Sequence, residues 1–347
     1  MRGSADEPDE SGYRPLLFSI AYGMTGSVGD AEDIAQDAFV GLTRARQAGT
    51  VVADPKAYLT TAVTRLSINY LRSARVRRET YVGDWLPEPV VVPVDEPGPA
   101  EHAELADSLS MAFLVLLETL SPTERAVFML REAFGYGYPE VAEVTGKSEA
   151  NCRQIFARAR QRIAAGGLAR GALQGSDAAS SPTRRAAGEQ FARRFFEAAA
   201  GGDMEALLGM VAPDVVFHGD GGGKAQALGS PMAGRDRVLR FLLGLFRRGQ
   251  VLDASLRLAW VNGQPGAVVY DADGRVISVF GLDVAEGVVQ AINSVVNPDK
   301  LGHLGPVSDV ARLPAPGQAE LRKPAHRHRL CSGGRLGQGK QVSTRNR

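Results

Sequence analysis

The segment GYGYPEVAEVTGKSEANCRQIFARARQRI, residues 135–163, predicts two short helices joined by a tight turn. Pro139 suits the first turn of a helix, where its missing N–H would have no partner within the helix. Thr145-Gly146-Lys147 can form a compact connection, and Ser148 can cap the helix that follows. A helix, a tight turn and a second helix are typical of the helix-turn-helix motif.

The second helix of this motif has an apolar side and a polar side. The apolar residues recur at three- and four-residue spacing, which predicts a buried stripe of Cys152, Ile155, Phe156, Ala159 and Ile163. On the other side, amides can read base edges in a major groove and arginines can hold phosphates or guanine. The candidate DNA-binding residues are Ser148, Ala150, Asn151, Arg153, Gln154 and Arg158. The alternative is an amphipathic helix with a solvated basic face.

Another helix precedes this motif. Ser121-Pro122-Thr123-Glu124 has the pattern of a capping box, and Ala126, Val127 and Leu130 supply an apolar side. The run LETLSPTERAVFMLREAFGYGYPEVAEVTGKSEANCRQIFARARQRI, residues 117–163, resembles region 4 of the sigma-70 family of transcription initiation factors. The resemblance implies that the second helix of the motif docks in the major groove at the −35 promoter element.

An acidic helix is predicted over residues 27–42, with Ala31, Ile34, Ala38 and Leu42 on its inner side. The sequence GDAEDIAQDAF within it resembles region 2.2 of small sigma factors, which implies binding to the coiled coil of the RNA polymerase β′ subunit. An acidic surface suits that partner because it attracts basic residues and repels DNA. The candidate polymerase-binding residues are Asp30, Glu32, Asp33, Gln36 and Asp37. Taken alone, such a surface is also typical of a solvated helix face.

The chain becomes basic after this helix. Between Arg44 and Thr80 there are eight lysines and arginines against two acidic residues, Asp54 and Glu79. Such a segment can hold a separated DNA strand, because arginines follow the backbone and an aromatic ring accepts an unstacked base. The segment resembles sigma regions 2.3 and 2.4, which melt and read the −10 element. The candidate residues are Tyr58, Arg65, Asn69, Arg72, Arg75, Arg77 and Arg78.

Two features of the basic segment leave its base contacts open. Tyr58 stands where small sigma factors most often have tryptophan, and a core aromatic is an equal alternative. Val63-Thr64-Arg65 departs from the common Ala-Arg-Asn pattern of the family. We therefore predict that the segment binds DNA without assigning particular bases.

Length and composition suit a globular protein of several domains. The chain has 347 residues, of which 44% are hydrophobic, and its net charge of +1 conceals strong local asymmetry. Cys152 and Cys331 are the only cysteines, so no disulfide framework, metal site or cofactor is expected. The N-terminus lacks the pattern of a signal peptide, and no apolar run approaches the ~20 residues of a membrane helix. We expect a cytoplasmic protein without a membrane partner.

Residues 81–107 are predicted to form an acidic, proline-rich linker. There are seven acidic residues between Asp84 and Asp107 and no lysine or arginine. The five prolines of the linker favour an extended chain. Because a tryptophan is costly to expose to water, we expect Trp85 to dock on another part of the protein.

A third domain is predicted over residues 183–305. Helical patterns are present at 191–199, 203–210 and 234–246. Strand-like stretches are present at 215–218, 254–261, 266–270, 276–284 and 288–295. Asp273-Gly274 marks a hairpin turn. Helices followed by a curved antiparallel sheet form an α+β cone. The order resembles the SnoaL-like members of the nuclear transport factor 2-like fold.

A cone of this kind can also be an enzyme, because a buried carboxylate in its pocket can act as a general base. The candidate acid–base residues are Asp214, His218, Asp220, Asp271 and Asp283. Turn and strand-end positions account for most of them, and no pair forms an evident acid–base couple. We therefore expect no independent catalysis.

Three short motifs point instead to regulation. They are Trp85-Leu86-Pro87-Glu88-Pro89, Asp220-Gly221-Gly222-Gly223-Lys224 and Asn297-Pro298-Asp299-Lys300-Leu301. In this order around two helical regions they resemble the extracytoplasmic-function sigma factors with a fused SnoaL-like extension. The resemblance covers about residues 12–305 and implies that the extension is a built-in regulator. It also implies the partners, which are promoter DNA and core RNA polymerase, bound through the β′ coiled coil and the β flap.

The second of these motifs suggests how the regulator would act. Its glycines allow the backbone to approach another surface closely, and Lys224 adds a positive charge. We expect the acidic linker, including Glu88, to be its target. The third domain would then bias the two sigma regions between a compact and a polymerase-ready arrangement. Its pocket could also take a small ligand, whose identity the sequence leaves open.

The sequence thus predicts a multidomain protein with two all-α sigma domains and an α+β cone. Region 2, a helical bundle, spans 12–80, and region 4, with the helix-turn-helix, spans 108–168. A linker at 169–182 leads to the SnoaL-like domain, and residues 306–347 are predicted to be a disordered basic tail. Two other functions stay open, a helix-turn-helix regulator with a ligand-binding domain and a SnoaL-like isomerase or cyclase.

Overall fold

The computed structural model describes residues 10–79, 81–94, 109–165, 182–251 and 253–309. Most of the second predicted linker, the second half of the first linker (residues 95–107) and nearly all of the predicted tail lie outside the described residues.

Three helices form an N-terminal bundle: α1 (Arg14–Thr25), α2 (Val28–Gln47) and α3 (Pro55–Glu79), after a 3-10 turn at Glu10–Tyr13. α2 begins after Ser27, whose side chain accepts a hydrogen bond from the backbone N–H of Asp30. The residues predicted on the inner side of this helix are buried. The acidic helix is therefore present with the predicted orientation.

Four helices form a second helical part: α4 (Met111–Leu117), α5 (Pro122–Glu132), α6 (Tyr138–Thr145) and α7 (Glu149–Ala165). The capping box of α5 is complete, because Ser121 and Glu124 each accept a hydrogen bond from the other's backbone N–H. α6 is capped at its C-terminus by Gly146, whose φ of 66° is left-handed and favours glycine. The predicted stripe of α7 is buried, with Phe156 partly so. α6 and α7 are the predicted helix-turn-helix.

The N-terminal bundle and the second helical part share one hydrophobic core. Gly23 of α1 lies against the side chain of Met129 of α5, where a Cβ would come within 2.1 Å of the methionine methyl group. Arg125 of α5 is 3% exposed. Its guanidinium donates to the backbone oxygens of Leu117 and Met24 at 2.7–3.1 Å. Apolar packing and buried hydrogen bonds therefore hold the two helical parts together.

The C-terminal domain combines helices with a curved sheet, as predicted. Its helices are α8 (Pro182–Gly201), α9 (Met204–Leu208) and α10 (Arg235–Val251). Its strands are β2 (Val211–Asp220), β3 (Met232–Ala233), β4 (Ser255–Val261), β5 (Gln264–Tyr270), β6 (Val276–Ala285) and β7 (Val288–Val295). β2 is longer than predicted and pairs in parallel with β7, whereas the other pairs are antiparallel.

The linker contributes a strand to this sheet. β1 (Val91–Pro93) pairs with β4 at the sheet edge, with Val92 opposite Trp260, and gives the strand order β1-β4-β5-β6-β7-β2-β3. The sequence predicts only an extended chain here. Strand pairing requires a free sheet edge, and that edge comes from a segment far along the chain.

The two faces of the sheet pack against different parts of the protein. On the helix face, Phe280 packs with α8 and α10. On the opposite face, which we call the linker face, Val279 and Val295 share a cluster with Leu86 of the linker and Met111 of α4. The linker face is therefore buried against the helical parts of the chain.

We expect replacement of Arg125 by methionine to destabilise the helical core by about 3 kcal/mol, because buried carbonyl oxygens would lose their donors. The urea midpoint of the helical signal, followed by circular dichroism, measures this change. The matched control is Arg160→Met on the exposed side of α7, which should leave the midpoint nearly unchanged. Equal midpoints for the two variants would contradict the assigned role of Arg125.

Candidate functional site

The three motifs singled out in the sequence meet on the linker face. β2 and β7 are parallel neighbours, with Asp220 opposite Val295, so the segments that follow them leave the sheet at the same edge. The linker lies against both segments. We call the residues that join them the linker site, which comprises Tyr81, Trp85, Leu86, Asp220, Asn297 and Lys300.

Asp220 is the centre of the linker site and is fully buried. Its carboxylate accepts hydrogen bonds from the backbone N–H of Leu86 at 2.8 Å, from Lys300 Nζ at 2.7 Å and from the hydroxyl of Tyr81. Its backbone oxygen accepts from the N–H groups of Val296 and Asn297. A buried carboxylate is costly unless it is paired and fully hydrogen-bonded, and these contacts meet that need.

Lys300 supplies the buried positive charge. Its ammonium also donates to the backbone oxygen of Leu86. It lies 4.3 Å from the ring centroid of Trp85 and 4.8 Å from that of Tyr81. Cations are attracted to the faces of aromatic rings, most strongly to tryptophan. Trp85 thus docks, as expected, and Lys300 contacts the linker through both backbone and rings.

The glycine motif approaches the linker closely, as its composition predicts. Asn297 Nδ2 donates to the Tyr81 hydroxyl at 2.8 Å. At Gly222, where φ is +56°, a Cβ would lie 2.3 Å from Asn297 Nδ2 and 2.9 Å from Tyr81 Oη. Both the backbone conformation and the space therefore require glycine. Burial, and then the neighbouring Asp220 carboxylate, raises the pKa of Tyr81 above its ordinary value.

The other side of the linker is bound to the first turn of α2. The Glu88 carboxylate accepts hydrogen bonds from Ser27 Oγ at 3.0 Å and from the backbone N–H of Val28 at 2.7 Å. A carboxylate at a helix N-terminus satisfies free N–H groups and complements the helix dipole. Trp85 packs over Gly26, where a Cβ would lie 2.6 Å from its ring. The linker motif is thus held between α2 and the C-terminal domain.

The glycine motif reaches the linker as expected, but the expected role of its Lys224 and of Glu88 in that contact is wrong. Lys224 pairs instead with Asp299 at 2.6 Å, and both side chains are 59% exposed. Glu88 is engaged by α2. The residue that reaches the linker is Lys300, whose short 3-10 turn at Pro298–Lys300 is capped by Asn297. Charge alone does not distinguish the two lysines in the sequence.

Asn262 is a contact residue that the sequence analysis missed. It is 1% exposed and lies in the turn between β4 and β5. Its Oδ1 accepts from the N–H of Val90, and its Nδ2 donates to the Tyr22 hydroxyl at 2.8 Å and to the Leu109 oxygen at 3.2 Å. The Asn-Gly pair is a recognisable turn signal. Its insertion between α1, the linker and the start of α4 has no local sequence signal.

Two of the candidate acid–base residues contact the linker instead of forming a catalytic pair. Asp220 is the centre of the linker site. His218 Nδ1 lies 2.8 Å from a carboxylate oxygen of Asp84 in the linker. Both residues therefore contribute to contacts between domains.

The other three acid–base candidates are dispersed. Asp214 is exposed. Asp271 accepts hydrogen bonds from Ser308 and from the turn that follows it. Asp283 accepts from Asn293 at 2.8 Å, and burial raises the pKa of its carboxyl to about 6. None of the five candidates is among the residues that line the cavity between sheet and helices in the described part of the domain.

The acidic side of α2 faces outward. Glu32, Asp33, Gln36 and Asp37 are exposed. Asp30 is partly buried, and its carboxylate accepts a hydrogen bond from the Tyr70 hydroxyl. Four of the five candidate polymerase-binding side chains are thus accessible to a partner.

The candidates on α3 have several environments. Asn69 and Arg72 are exposed. Tyr58 packs partly buried against the helical core and donates to the Gly41 oxygen at 3.3 Å, which favours the core interpretation. Arg65 donates to the backbone oxygen of Val144 at the end of α6, at 3.1 Å. The side chains of Arg75, Arg77 and Arg78 lie outside the described part of the chain.

The candidates on α7 form a solvent-facing surface. Ser148 caps the helix by accepting from the N–H of Asn151 at 3.2 Å. Arg153 lies 4.8 Å from the ring centroid of Tyr138 and pairs with Glu149. The remaining candidates on this helix, all exposed, are Ala150, Gln154 and Arg158.

The described residues offer no support for two other classes of site. They contain no group of three histidine, cysteine or carboxylate side chains placed to hold a metal ion. Among them, no helix combines the length and apolar character needed to cross a bilayer.

Comparison with known proteins matches all three parts of the chain. The sigma-70 region 2 family matches residues 11–77, the sigma-70 region 4 family matches residues 110–163, and the SnoaL-like domain family matches residues 192–296.

Two relatives match along most of their length. The chain is 40% identical over 294 residues to the ECF RNA polymerase sigma factor SigJ of Mycobacterium tuberculosis. The matched region covers 83% of this chain and 90% of SigJ. It is 31% identical over 296 residues to the probable ECF RNA polymerase sigma factor SigI of the same species. Here the matched region covers 84% of this chain and 93% of SigI. The crystal structure of M. tuberculosis SigJ matches with a TM-score of 0.64 at 36% identity, over 84% of this chain and 96% of that structure. The chain therefore belongs to the extracytoplasmic-function RNA polymerase sigma factors of the sigma-70 family, with a SnoaL-like domain after its two sigma regions.

Proposed function

We propose that this sigma factor is controlled in cis by its SnoaL-like domain, which holds the linker and thereby keeps the two sigma regions closed. In the open arrangement, α2 binds the β′ coiled coil of core polymerase and the helix-turn-helix part binds the β flap. α3 then reads the −10 element and α7 the −35 element, in the cytoplasm. The observation that carries the proposal is the buried Asp220–Lys300 pair, which grips a linker whose Glu88 caps the polymerase-binding helix.

The separation of the promoter elements supports the need for opening. Elements about 25 base pairs apart lie roughly 85 Å apart at about 3.4 Å per base pair. Here Arg65 of α3 is hydrogen-bonded to α6, and α7 packs on α6. Since a helix is about 10 Å across, the two DNA-reading helices lie within a few helix diameters of each other. They cannot reach both elements of straight duplex at once until the helical parts separate.

The linker is well placed to control this separation. It joins the two sigma regions in sequence, and it contributes β1 to the sheet of the SnoaL-like domain. Asn262 adds hydrogen bonds to α1, the linker and the start of α4. Release of the linker would remove contacts to both helical parts together. The SnoaL-like domain therefore acts on the sigma regions as a regulator, and the proposal gives it no catalytic role.

Charge reversal on α2 tests the polymerase contact. We expect Glu32→Lys with Asp33→Lys to weaken binding to core polymerase about tenfold or more, since an acidic surface attracts a basic partner. Fluorescence anisotropy of labelled sigma factor against core enzyme measures the change. The control, Glu205→Lys with Asp236→Lys, reverses two exposed charges of the SnoaL-like domain. Binding that α2 reversal leaves intact would argue instead for a DNA-binding regulator that works without polymerase.

Two lysine variants test the control of transcription. We expect Lys300→Met to increase run-off transcription several-fold, on promoter fragments selected with the holoenzyme, because a broken buried pair leaves Asp220 uncompensated at a cost of about 3–5 kcal/mol. The distance between labels on α2 and α7 should lengthen in the same variant. Lys224→Met removes only an exposed pair and should behave like the natural protein. Equal transcription and equal label distances for both variants would refute control through the linker site.

A further inference from the structure

The SnoaL-like domain contains a cavity on the helix face of its sheet, away from the linker. The cavity has a volume of about 440 Å³ and lies between the sheet and helices α8 and α10. Phe196, Phe246 and Phe280 contribute aromatic surface to its wall, and Leu256 and Leu258 extend the apolar lining. This volume falls in the range of small-molecule sites, which are mostly apolar with few polar groups.

The floor of the cavity carries two serine side chains. Ser278 on β6 and Ser294 on β7 are each 4% exposed and line the cavity. Ser294 lies opposite Phe280 in the pairing of the two strands. Neither hydroxyl has a hydrogen-bond partner among the residues that the structure describes. A hydroxyl that lines a cavity without a protein partner can hydrogen-bond to a bound molecule, so this floor suits a molecule with an oxygen atom.

The mouth of the cavity carries an excess of positive charge. Arg193 of α8 and Arg248 of α10 line it, together with one carboxylate, that of Glu197. Arg248 donates to Gln226 at 3.3 Å, and Arg193 pairs with Glu189 one turn earlier in its helix. Guanidinium groups recognise carboxylates through paired hydrogen bonds.

We propose that this cavity binds an apolar carboxylic acid that bears a hydroxyl or carbonyl group remote from the acid. The acid group lies at the arginines of the mouth, the hydrocarbon lies against the three phenylalanines, and the remote oxygen hydrogen-bonds to Ser278 and Ser294. A molecule that lacks either oxygen function loses one of these contacts.

The cavity shares two segments with the linker site. Ala225 and Gln226, which line it, directly follow the glycine motif, and the N–H of Ala225 bonds to the oxygen of Gly221. Val296, which also lines it, directly precedes Asn297. A ligand that displaces either segment therefore alters the surroundings of Lys300 and the linker. This part of the inference rests on the proposed function and makes the acid its signal.

A competition experiment on the full chain tests the site. The probe is 8-anilinonaphthalene-1-sulfonate, an apolar aromatic anion, and the competitors are 10-hydroxydecanoic acid, decanoic acid and 1,10-decanediol. We expect saturable probe binding at one site, with 10-hydroxydecanoic acid displacing it at least fivefold more effectively than either other competitor. Equal displacement by all three would overturn the assigned ligand class.

Variants locate the binding. Ser278→Leu fills the floor and should reduce probe affinity at least tenfold, while Arg248→Gln should reduce the advantage of the acids over the diol. Ser230→Leu, the same substitution on an exposed loop, is the matched control. Thermal unfolding shows whether each variant is folded. If Ser278→Leu does not fold, Arg248→Gln still tests the site. Unchanged binding in both cavity variants would overturn the site.

Trp85 reports the coupling. In a Trp260→Phe background it is the only tryptophan of the chain, and its emission should shift when 10-hydroxydecanoic acid saturates the cavity. Binding without that shift overturns the coupling. Failure of the proposed function would give a different result. The Lys300→Met variant would then transcribe normally, while the cavity would still bind the acid.

Discussion

The structure depends on the buried ion pair between Asp220 and Lys300. Removing both charges from water is costly, and the cost is offset only while every remaining donor and acceptor is satisfied. The linker completes this set with both backbone groups of Leu86, the Tyr81 hydroxyl and the ring of Trp85. If the linker left, the Asp220 carboxylate and the Lys300 ammonium would keep each other but lose most of their other contacts named here. The SnoaL-like domain and the linker therefore stabilise each other.

This dependence extends from the linker to the sigma regions. Glu88 caps α2, the helix with the acidic surface, and Asn262 hydrogen-bonds to Tyr22 of α1. β1 ties the same linker to the edge of the sheet. Each contact is modest, but all are made by one short segment, so they form and break together. The proposed control in cis rests on this arrangement, because the linker site is connected to both helical parts through the same segment.

The two faces of the sheet separate the two properties of the SnoaL-like domain. Its linker face uses Asp220 and His218, which would be acid–base candidates in an enzyme, to hold the linker. Its helix face keeps a cavity with a polar floor at Ser278 and Ser294. Alternation along a strand places neighbouring residues on opposite faces, so β7 contributes Ser294 to the cavity and Val295 to the linker face. One strand thus joins the cavity to the linker face.

The sequence by itself determined the local structure and the family. Caps such as Ser121 and Ser148, the apolar spacing of α7 and the outward acidic side of α2 depend on a few neighbouring residues, and the structure has each of them as predicted. The three motifs were also found, because their composition is unusual. Only the tertiary structure decided that Lys300 and not Lys224 grips the linker, that 91–93 joins the sheet, and that Asn262 reaches Tyr22. Each of these contacts joins residues that are far apart in the chain. The hydrogen bond between Leu86 and Asp220, for example, spans 134 positions. Such pairs are selected by the packing of whole elements, which no local pattern encodes.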